Sequence, residues 1–294
     1  MKVAAVDVGG TTIKVEVLDS SNVAQQRIVV PTPRGDDPAQ AVTSRIVQLL
    51  RDLDATDLPV GVVVPGLVDQ SAGIGLHSAT LGWKNAPLAD LLRPHITAPV
   101  AIGHDVTAGG IAEHELGAGG GAANLAVVVI GTGISSSIWV DHRRLEGTSI
   151  GEIGHVALLT PARSTVCVCG RTGCLESIAS ASAIAQRYHA RTDRAVDGAA
   201  GVAALLDTDP VARSVWDDAI DALARSLLAL VAIVGSERIV ITGGLSNAGS
   251  RLIDPLRDRV AELAVVESVP DIVPGLFAGR SVIVGAALLA RSMT

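Results

Sequence analysis

One stretch of this chain repeats itself. Shifted by 122 positions, Ala4-Ala5-Val6-Asp7-Val8-Gly9-Gly10-Thr11 lies over Ala126-Val127-Val128-Val129-Ile130-Gly131-Thr132-Gly133. Each copy is an apolar run that meets a Gly/Thr-rich turn and continues into a second run, over 13–18 and 134–141. Short apolar runs bounded by glycine read as strands, so strand–turn–strand met twice reads as an internal duplication. The chain is therefore expected to form two α/β domains, each opening with a hairpin. Asp19 falls over Asp141 at the close of the second strand of each copy, while Asp7 is replaced by Val129.

The rest of the chain fills in around the two hairpins. A third strand fits 26–31, and a helix fits 38–52 with Ala41, Ile46, Leu49 and Leu50 on one face. Strands at 60–65 and 98–103 follow, the second running into His104-Asp105 and a helix to about Glu115. Gly109 and Gly110 each weaken that helix by about 1 kcal/mol against Ala, which calls for close packing there. The segment Gly117-Ala-Gly-Gly-Gly-Ala-Ala is the boundary that composition favours, dividing a domain over 1–117 from a larger one over 118–280. Residues 211–234 place Trp216, Ile220, Leu223, Leu227, Leu230 and Val234 on one stripe of a long helix. A strand at 237–242 ends in Gly243-Gly244, a helix starts near Ser246, and a final helix spans about 282–292.

Composition removes several classes of function. With 48% hydrophobic and 18% charged residues among 294, the chain has ample material for packed cores and does not read as disordered. The net charge of −7 and the lack of a Lys/Arg-rich run argue against a nucleic-acid partner, because phosphate backbones are gripped by clustered cations. The start of the chain lacks the basic-then-apolar layout of a signal peptide. The longest apolar stretch, Leu223 to Val234, is broken by Arg225 and too short to span a bilayer. A cytoplasmic protein with no membrane partner is the expectation.

Three strands end in glycine-rich turns: Gly9-Gly10-Thr11-Thr12, Gly131-Thr132-Gly133 and Gly243-Gly244. Glycine lets the backbone approach an anion so that several N–H groups point at phosphate oxygens, although any one such turn is also a plain tight hairpin. Asp7, just before the first turn, suits a carboxylate that organises Mg²⁺ or its waters; a turn cap is the alternative. Lys14 reads either as a phosphate contact or as a solvated strand lysine.

The most specific signal is His155 followed by Cys167, Cys169 and Cys174. Three thiolates and one imidazole make a closed tetrahedral zinc shell, which leaves no open position for water and so reads as structural; three buried thiols without metal is the alternative. Gly170 and Gly173 let the short loop wrap an ion. Glu152 and Glu176 flank these ligands, and with His155 they offer the directional polar groups a polyhydroxyl ligand needs, or else support the metal or carry exposed charge. Asp105, at a strand end and helix start, reads as an N-cap or as a general base that takes a hydroxyl proton while phosphorus is attacked.

Together these residues resemble the repressor–open reading frame–kinase (ROK) family of sugar kinases over nearly the whole chain. The motifs carrying the likeness are Asp7-Val-Gly-Gly-Thr11, Pro65-Gly66, Leu81-Gly-Trp83 with Pro87-Leu88, His104-Asp105, Gly131-Thr-Gly133, Glu146-Gly147, Gly151-Glu-Ile-Gly-His155, Cys167-x-Cys169-Gly-x-x-Gly-Cys174-x-Glu176 and Gly243-Gly244. The resemblance implies a two-domain actin/hexokinase-like (ribonuclease H-like) ATPase fold, with sugar and ATP meeting in a cleft and the last helix, about 281–294, returning to the first domain. It implies an ATP-dependent hexose 6-kinase using Mg²⁺ and structural Zn²⁺, glucose being the default substrate and N-acetylglucosamine or N-acetylmannosamine the alternative. It makes Asp105 the base; Gly66, Thr80, His104, Asp105, Glu152, His155 and Glu176 sugar contacts; and His155 with the three cysteines zinc ligands. A homodimer or homotetramer is a further family expectation. The family also holds sugar-responsive repressors and silent sugar binders. The start at Asp7 and the acidic charge disfavour the first, and the retention of Asp7 and Asp105 disfavours the second. Three departures stand out: His104 and Thr80 replace asparagines common in the family, and Ser135-Ser136-Ser137 replace glycines after the second turn.

Overall fold

The first apolar run forms β1 (Val3–Val8), which folds back on β2 (Thr12–Leu18) and then β3 (Ala24–Pro31), all antiparallel. Helix α1 (Pro38–Asp52) begins where Asp37 accepts a hydrogen bond from Gln40 N–H and Pro38 supplies a preset φ, and it buries Val42, Ile46, Leu49 and Leu50. Then β4 (Val60–Val64) joins β1 in parallel. A small antiparallel sheet of β5 (Leu67–Asp69), β6 (Ile74–Ser78) and β7 (Trp83–Ala86) follows, then the short α2 (Leu88–Leu92). Strand β8 (Val100–His104) pairs in parallel with β4 and runs directly into α3 (Asp105–Glu115).

The second half repeats the plan. Strands β9 (Leu125–Ile130), β10 (Ile134–Val140) and β11 (Arg143–Arg144) are antiparallel. Helices α4 (Glu176–Ala179), α5 (Ala181–Thr192), α6 (Gly198–Ala204) and α7 (Pro210–Val234) intervene before β12 (Arg238–Thr242) pairs in parallel with β9. Helix α8 (Ser250–Leu263) and β13 (Asp271–Pro274) complete this half, and the chain ends in α9 (Ser281–Arg291). The larger sheets have the orders β3-β2-β1-β4-β8 and β11-β10-β9-β12-β13, the same arrangement twice. A computed structural model describes residues 1–147, 149–157, 165–277 and 279–294. They form two compact units, Met1–Ala112 with Arg280–Thr294, and Glu113–Gly279.

The duplication is off by one residue after its turn. Val8 faces Ile13 across four residues in the first hairpin, whereas Ile130 faces Ile134 across three in the second. Leu18 stands opposite Val3 and Trp139 opposite Leu125, so the counterpart of Asp19 is Val140 rather than Asp141. The helix expected from Ser246 is also displaced. Residues Gly244–Ala248 form a 3₁₀ turn, and Gly249, at φ 58° and ψ −130°, postpones α8 to Ser250.

Each unit has its own aliphatic core. In the first, Val6, Val15, Val62 and Ile102 of the sheet meet Ile46 and Leu50 of α1. On the other face, α9 packs on β1, β4 and β8 at backbone distance: a Cβ on Gly61 of β4 would lie 1.9 Å from Ala286 O, and one on Gly285 the same distance from Ala108 O of α3. A Cβ on Gly109 would come 3.3 Å from the Val282 side chain, which accounts for a helix-weakening glycine there. In the second unit α7 starts at an Asp209 cap, ends at Gly235 in the left-handed region, and buries Trp216, Ile220, Leu223, Leu227 and Leu230 against β9 and β12 residues such as Val128 and Ile241. No helix among the described residues is long and apolar enough to cross a membrane. The repeated mixed sheet with helices on its faces is the actin/hexokinase-like fold.

Candidate functional site

In the first unit the carboxyl ends of the parallel strands β1, β4 and β8 lie side by side, the edge at which open α/β sheets receive ligands. That edge carries Asp7 and the first glycine turn, Pro65-Gly66, and His104-Asp105. Gly9 N–H donates to Thr12 O at 2.9 Å, and Thr32 closes the turn from outside, its Oγ1 donating to Gly9 O at 2.7 Å. The register sets Asp7 opposite Lys14, and their ion pair spans 2.9 Å with Asp7 only 13% exposed. Lys14 therefore neutralises Asp7 instead of standing free in solvent.

Thr80 presses on the same turn: a Cβ at Gly10 would lie 2.4 Å from its Cγ2. Arg34, a residue no pattern in the sequence singles out, ties the two together, donating to Gly10 O at 2.6 Å and to Thr80 O at 3.0 Å. Gly66 sits at φ 103°, where a Cβ would strike His77 O at 2.2 Å, so this turn admits only glycine.

Asp105 is the first residue of α3, and its Oδ1 accepts from the N–H of Val106 at 2.7 Å. His104 Nε2 lies 3.2 Å from the same oxygen, and His104 Nδ1 lies 3.3 Å from Thr107 Oγ1. Burial pushes the Asp105 carboxyl above the usual carboxylate range; His104 and the Val106 N–H pull it back, and the charge of Asp7 raises it further. A carboxylate so placed is a proton acceptor with a raised affinity for the proton it would take.

In the second unit, the turn Gly131–Gly133 and the Gly243-Gly244 turn meet at the carboxyl ends of β9 and β12: a Cβ at Gly243, φ 90°, would lie 2.5 Å from Ile130 O. Glu176 reaches this place as well. Its Oε2 accepts from Ile134 N–H at 2.9 Å and lies 2.5 Å from where a Gly133 Cβ would be. Ser182 Oγ donates to Thr132 O at 2.5 Å, and Ala181 N–H to Gly131 O at 2.9 Å, so the start of α5 braces the turn. Neither the Ser182 nor the Ile134 contact is signalled in the sequence, because each is a long-range bond to backbone.

The segment Gly151–His155 lies flat on β10. Ser136 N–H donates to Gly151 O at 2.8 Å, and the Ser135 and Ser136 hydroxyls donate to the same carbonyl at 3.1 and 3.2 Å. Cβ atoms on Gly151 and Gly154 would lie 1.9 and 2.1 Å from Ser136 O and Ile134 O. The two glycines thus set the height of Glu152 and His155 above the strand. The ring of His155 arrives beside Cys167, Nδ1 to Sγ 3.6 Å, and Cys169 Sγ lies 3.6 Å from Cys174 Sγ.

All four donor atoms fall within 4.8 Å of one another. A tetrahedron with Zn–S near 2.3 Å and Zn–N near 2.05 Å has edges of about 3.5–3.8 Å, so donor chemistry and spacing both fit the ion. Gly170 and Gly173, at φ 84° and 85°, make the bends that bring the thiols round. Burial pushes Cys174 up to about 12, a proton affinity that only a cation in the thiol cluster would offset. Among the described residues neither Glu152 nor Glu176 belongs to this donor group; the Glu176 carboxylate goes to the turn instead.

Known proteins resemble this chain over most of its length. The chain is 32% identical over 282 residues to a glucokinase of Halalkalibacterium halodurans, covering 88% of this chain and 85% of that one. It is 31% identical to a glucokinase of Thermotoga maritima, covering 89% and 88%. Its fold superposes with a TM-score of 0.85 on a ROK family glucokinase of Streptomyces griseus solved with glucose and AMPPNP, over 99% of this chain and 100% of that one at 24% identity. With the ROK family model matching residues 3–293 from strand β1 to the end of α9, the chain belongs to the ROK family.

Proposed function

We propose that this chain is an ATP-dependent sugar kinase that moves the γ-phosphate of ATP to the 6-hydroxyl of a hexose, glucose being the default substrate. The observation that carries the reading is Asp105: a half-buried carboxylate of raised proton affinity at the ligand-receiving edge of a sheet, whose neighbouring strand carries Asp7 and a glycine turn. The hydroxyl proton passes to Asp105 as the sugar oxygen forms its bond to phosphorus and the bond from phosphorus to the ADP oxygen breaks. Backbone N–H groups of the turns at Gly9–Thr12, Gly131–Gly133 and Gly243-Gly244 hold phosphate oxygens. Asp7 organises Mg²⁺, which when bound neutralises charge on the phosphates. Gly66, Thr80, Glu152, His155 and Glu176 orient the sugar. His155, Cys167, Cys169 and Cys174 would hold zinc, which would offer no reactive position and would fix the loop that presents His155. Glucokinase relatives at 31–32% identity support this reading.

A relative named N-acetylmannosamine kinase, 26% identical over 84% of this chain, supports one second reading, an N-acetylhexosamine as substrate. ADP release measured over glucose, mannose, fructose, allose, N-acetylglucosamine and N-acetylmannosamine decides between them, and silence with every sugar would refute the kinase. Assembly as a homodimer or homotetramer, carried over from the family, is checked by light scattering.

A further inference from the structure

Neighbouring side chains on a strand point to opposite faces, so His104 and Asp105 should not touch. They do because the backbone turns from strand to helix between them, His104 closing β8 and Asp105 opening α3. The contacts on this pair are unevenly shared. Asp105 Oδ1 accepts from the Val106 N–H at 2.7 Å, and His104 Nε2 lies at an ion-pair distance of 3.2 Å from the same oxygen. On the far side of the ring, Thr107 Oγ1 stands 3.3 Å from Nδ1. A carboxylate oxygen only accepts, which places a ring proton on Nε2 facing Oδ1, while Thr107 Oγ1 holds the ring by its other nitrogen.

We propose that His104, held by Thr107, is a positioning residue that orients the Asp105 carboxylate at the mouth of the sheet edge. The inference rests on Asp105 being the base of the proposed kinase. The Val106 N–H and the His104 ring, both against Oδ1, hold the carboxyl group in place and leave Oδ2 for the reacting hydroxyl. In the transfer step the proton goes from the sugar hydroxyl to Oδ2 as the new O–P bond forms and the bond to ADP breaks; the imidazole neither gains nor loses one. Both ring nitrogens are engaged within the protein, so His104 offers none to the sugar, unlike the role its position implies by family resemblance. The other charges facing Asp105 are Asp7 on β1 and, paired with it at 2.9 Å, Lys14 on β2. Neither is altered by changes at 104 or 107.

The test reads the carboxylate directly. The Asp105 Cγ resonance is titrated in the substrate-free protein by ¹³C NMR, the ring tautomer is read by long-range ¹⁵N correlation, and kcat/KM is followed against pH. The expected results are a ring that carries a proton on Nε2 and, in His104→Ala, an Asp105 midpoint higher by about one pH unit for the lost partner. The acid limb of kcat/KM should move with it, and the sugar KM should stay within about twofold. Thr107→Val should shift the midpoint the same way by less, and Thr107→Ser should bring it back. An unmoved midpoint in both His104→Ala and Thr107→Val, a ring protonated at Nδ1 alone, or a loss confined to sugar KM would overturn the proposal. Because the carboxyl titration needs no turnover, a chain that phosphorylates no sugar would sink the kinase reading and still leave the role of His104 decided by the resonance.

Discussion

Gly154→Ala puts the geometry of the metal loop to a quantitative test. The added Cβ would sit 2.1 Å from Ile134 O and 3.1 Å from Ile134 C. A carbon and a carbonyl oxygen ordinarily meet at about 3.3 Å, so a gap of about 1.2 Å must open. Ile134 cannot yield, because its strand is paired along β9 from Ile130 to Leu125. The 3₁₀ turn Ile153–His155 must therefore rise, and His155 with it. A shift of that size costs about 10²-fold in a positioned reaction, and the overpacking itself about 1–3 kcal/mol. The variant is expected to keep the second unit's core, lose zinc on dialysis against a weak chelator, and fall about 10²-fold in kcat/KM. Metal analysis, a thermal melt and coupled ADP release measure the three. Gly35→Ala, where an added Cβ meets nothing within 4 Å, is the control. Wild-type zinc content and kcat/KM in Gly154→Ala would refute the claim that this glycine sets the height of His155.

Asp105→Asn should reduce turnover by about 10²–10⁴-fold while raising the thermal midpoint at pH 7. The folded carboxyl binds its proton more tightly than the unfolded one, so its stabilising contribution is full below about 3.8 and is lost as pH rises through the folded value; removing the charge removes that loss, and a lowered midpoint would contradict it. Metal analysis should find about one zinc per chain, and Cys174→Ser should abolish it; a full zinc complement in that variant would void the ligand assignment. Arg34→Ala severs the links to Gly10 O and Thr80 O and should raise the ATP KM about tenfold with kcat little changed, which steady-state kinetics checks. Gly61→Ala, whose Cβ would enter Ala286 O at 1.9 Å, should lower stability by about 1–3 kcal/mol in a denaturant titration.

Most elements were legible because their signals are local. Apolar runs ended by glycine marked β1, β9 and β12, and apolar faces at helical spacing marked α1 and α7. Four soft donors within twenty residues of one another are legible for the same reason, and the fold brings them within 4.8 Å. What escaped depends on partners far along the chain. The two hairpin turns have similar compositions, so nothing in them reveals that one is a residue shorter. Arg34, Thr107, Ser135 and Ser182 act on carbonyls or rings that only folding brings near. Gly249 displaced a helix start because a single backbone angle overrode an otherwise helical run.

The seating of α9 also bears on how the polypeptide matures. Strands β1, β4 and β8 emerge from the ribosome early, yet the helix that covers their second face is made only after all of Glu113–Gly279. Throughout that interval Gly61 and Gly103 present a bare groove of aliphatic sheet. The later-made unit, with every strand and helix of its own already in hand, is then the first to finish, reversing the usual amino-to-carboxyl order of folding during synthesis. A nascent chain stalled before Ser281 is accordingly a natural client for a chaperone that shields exposed apolar strands.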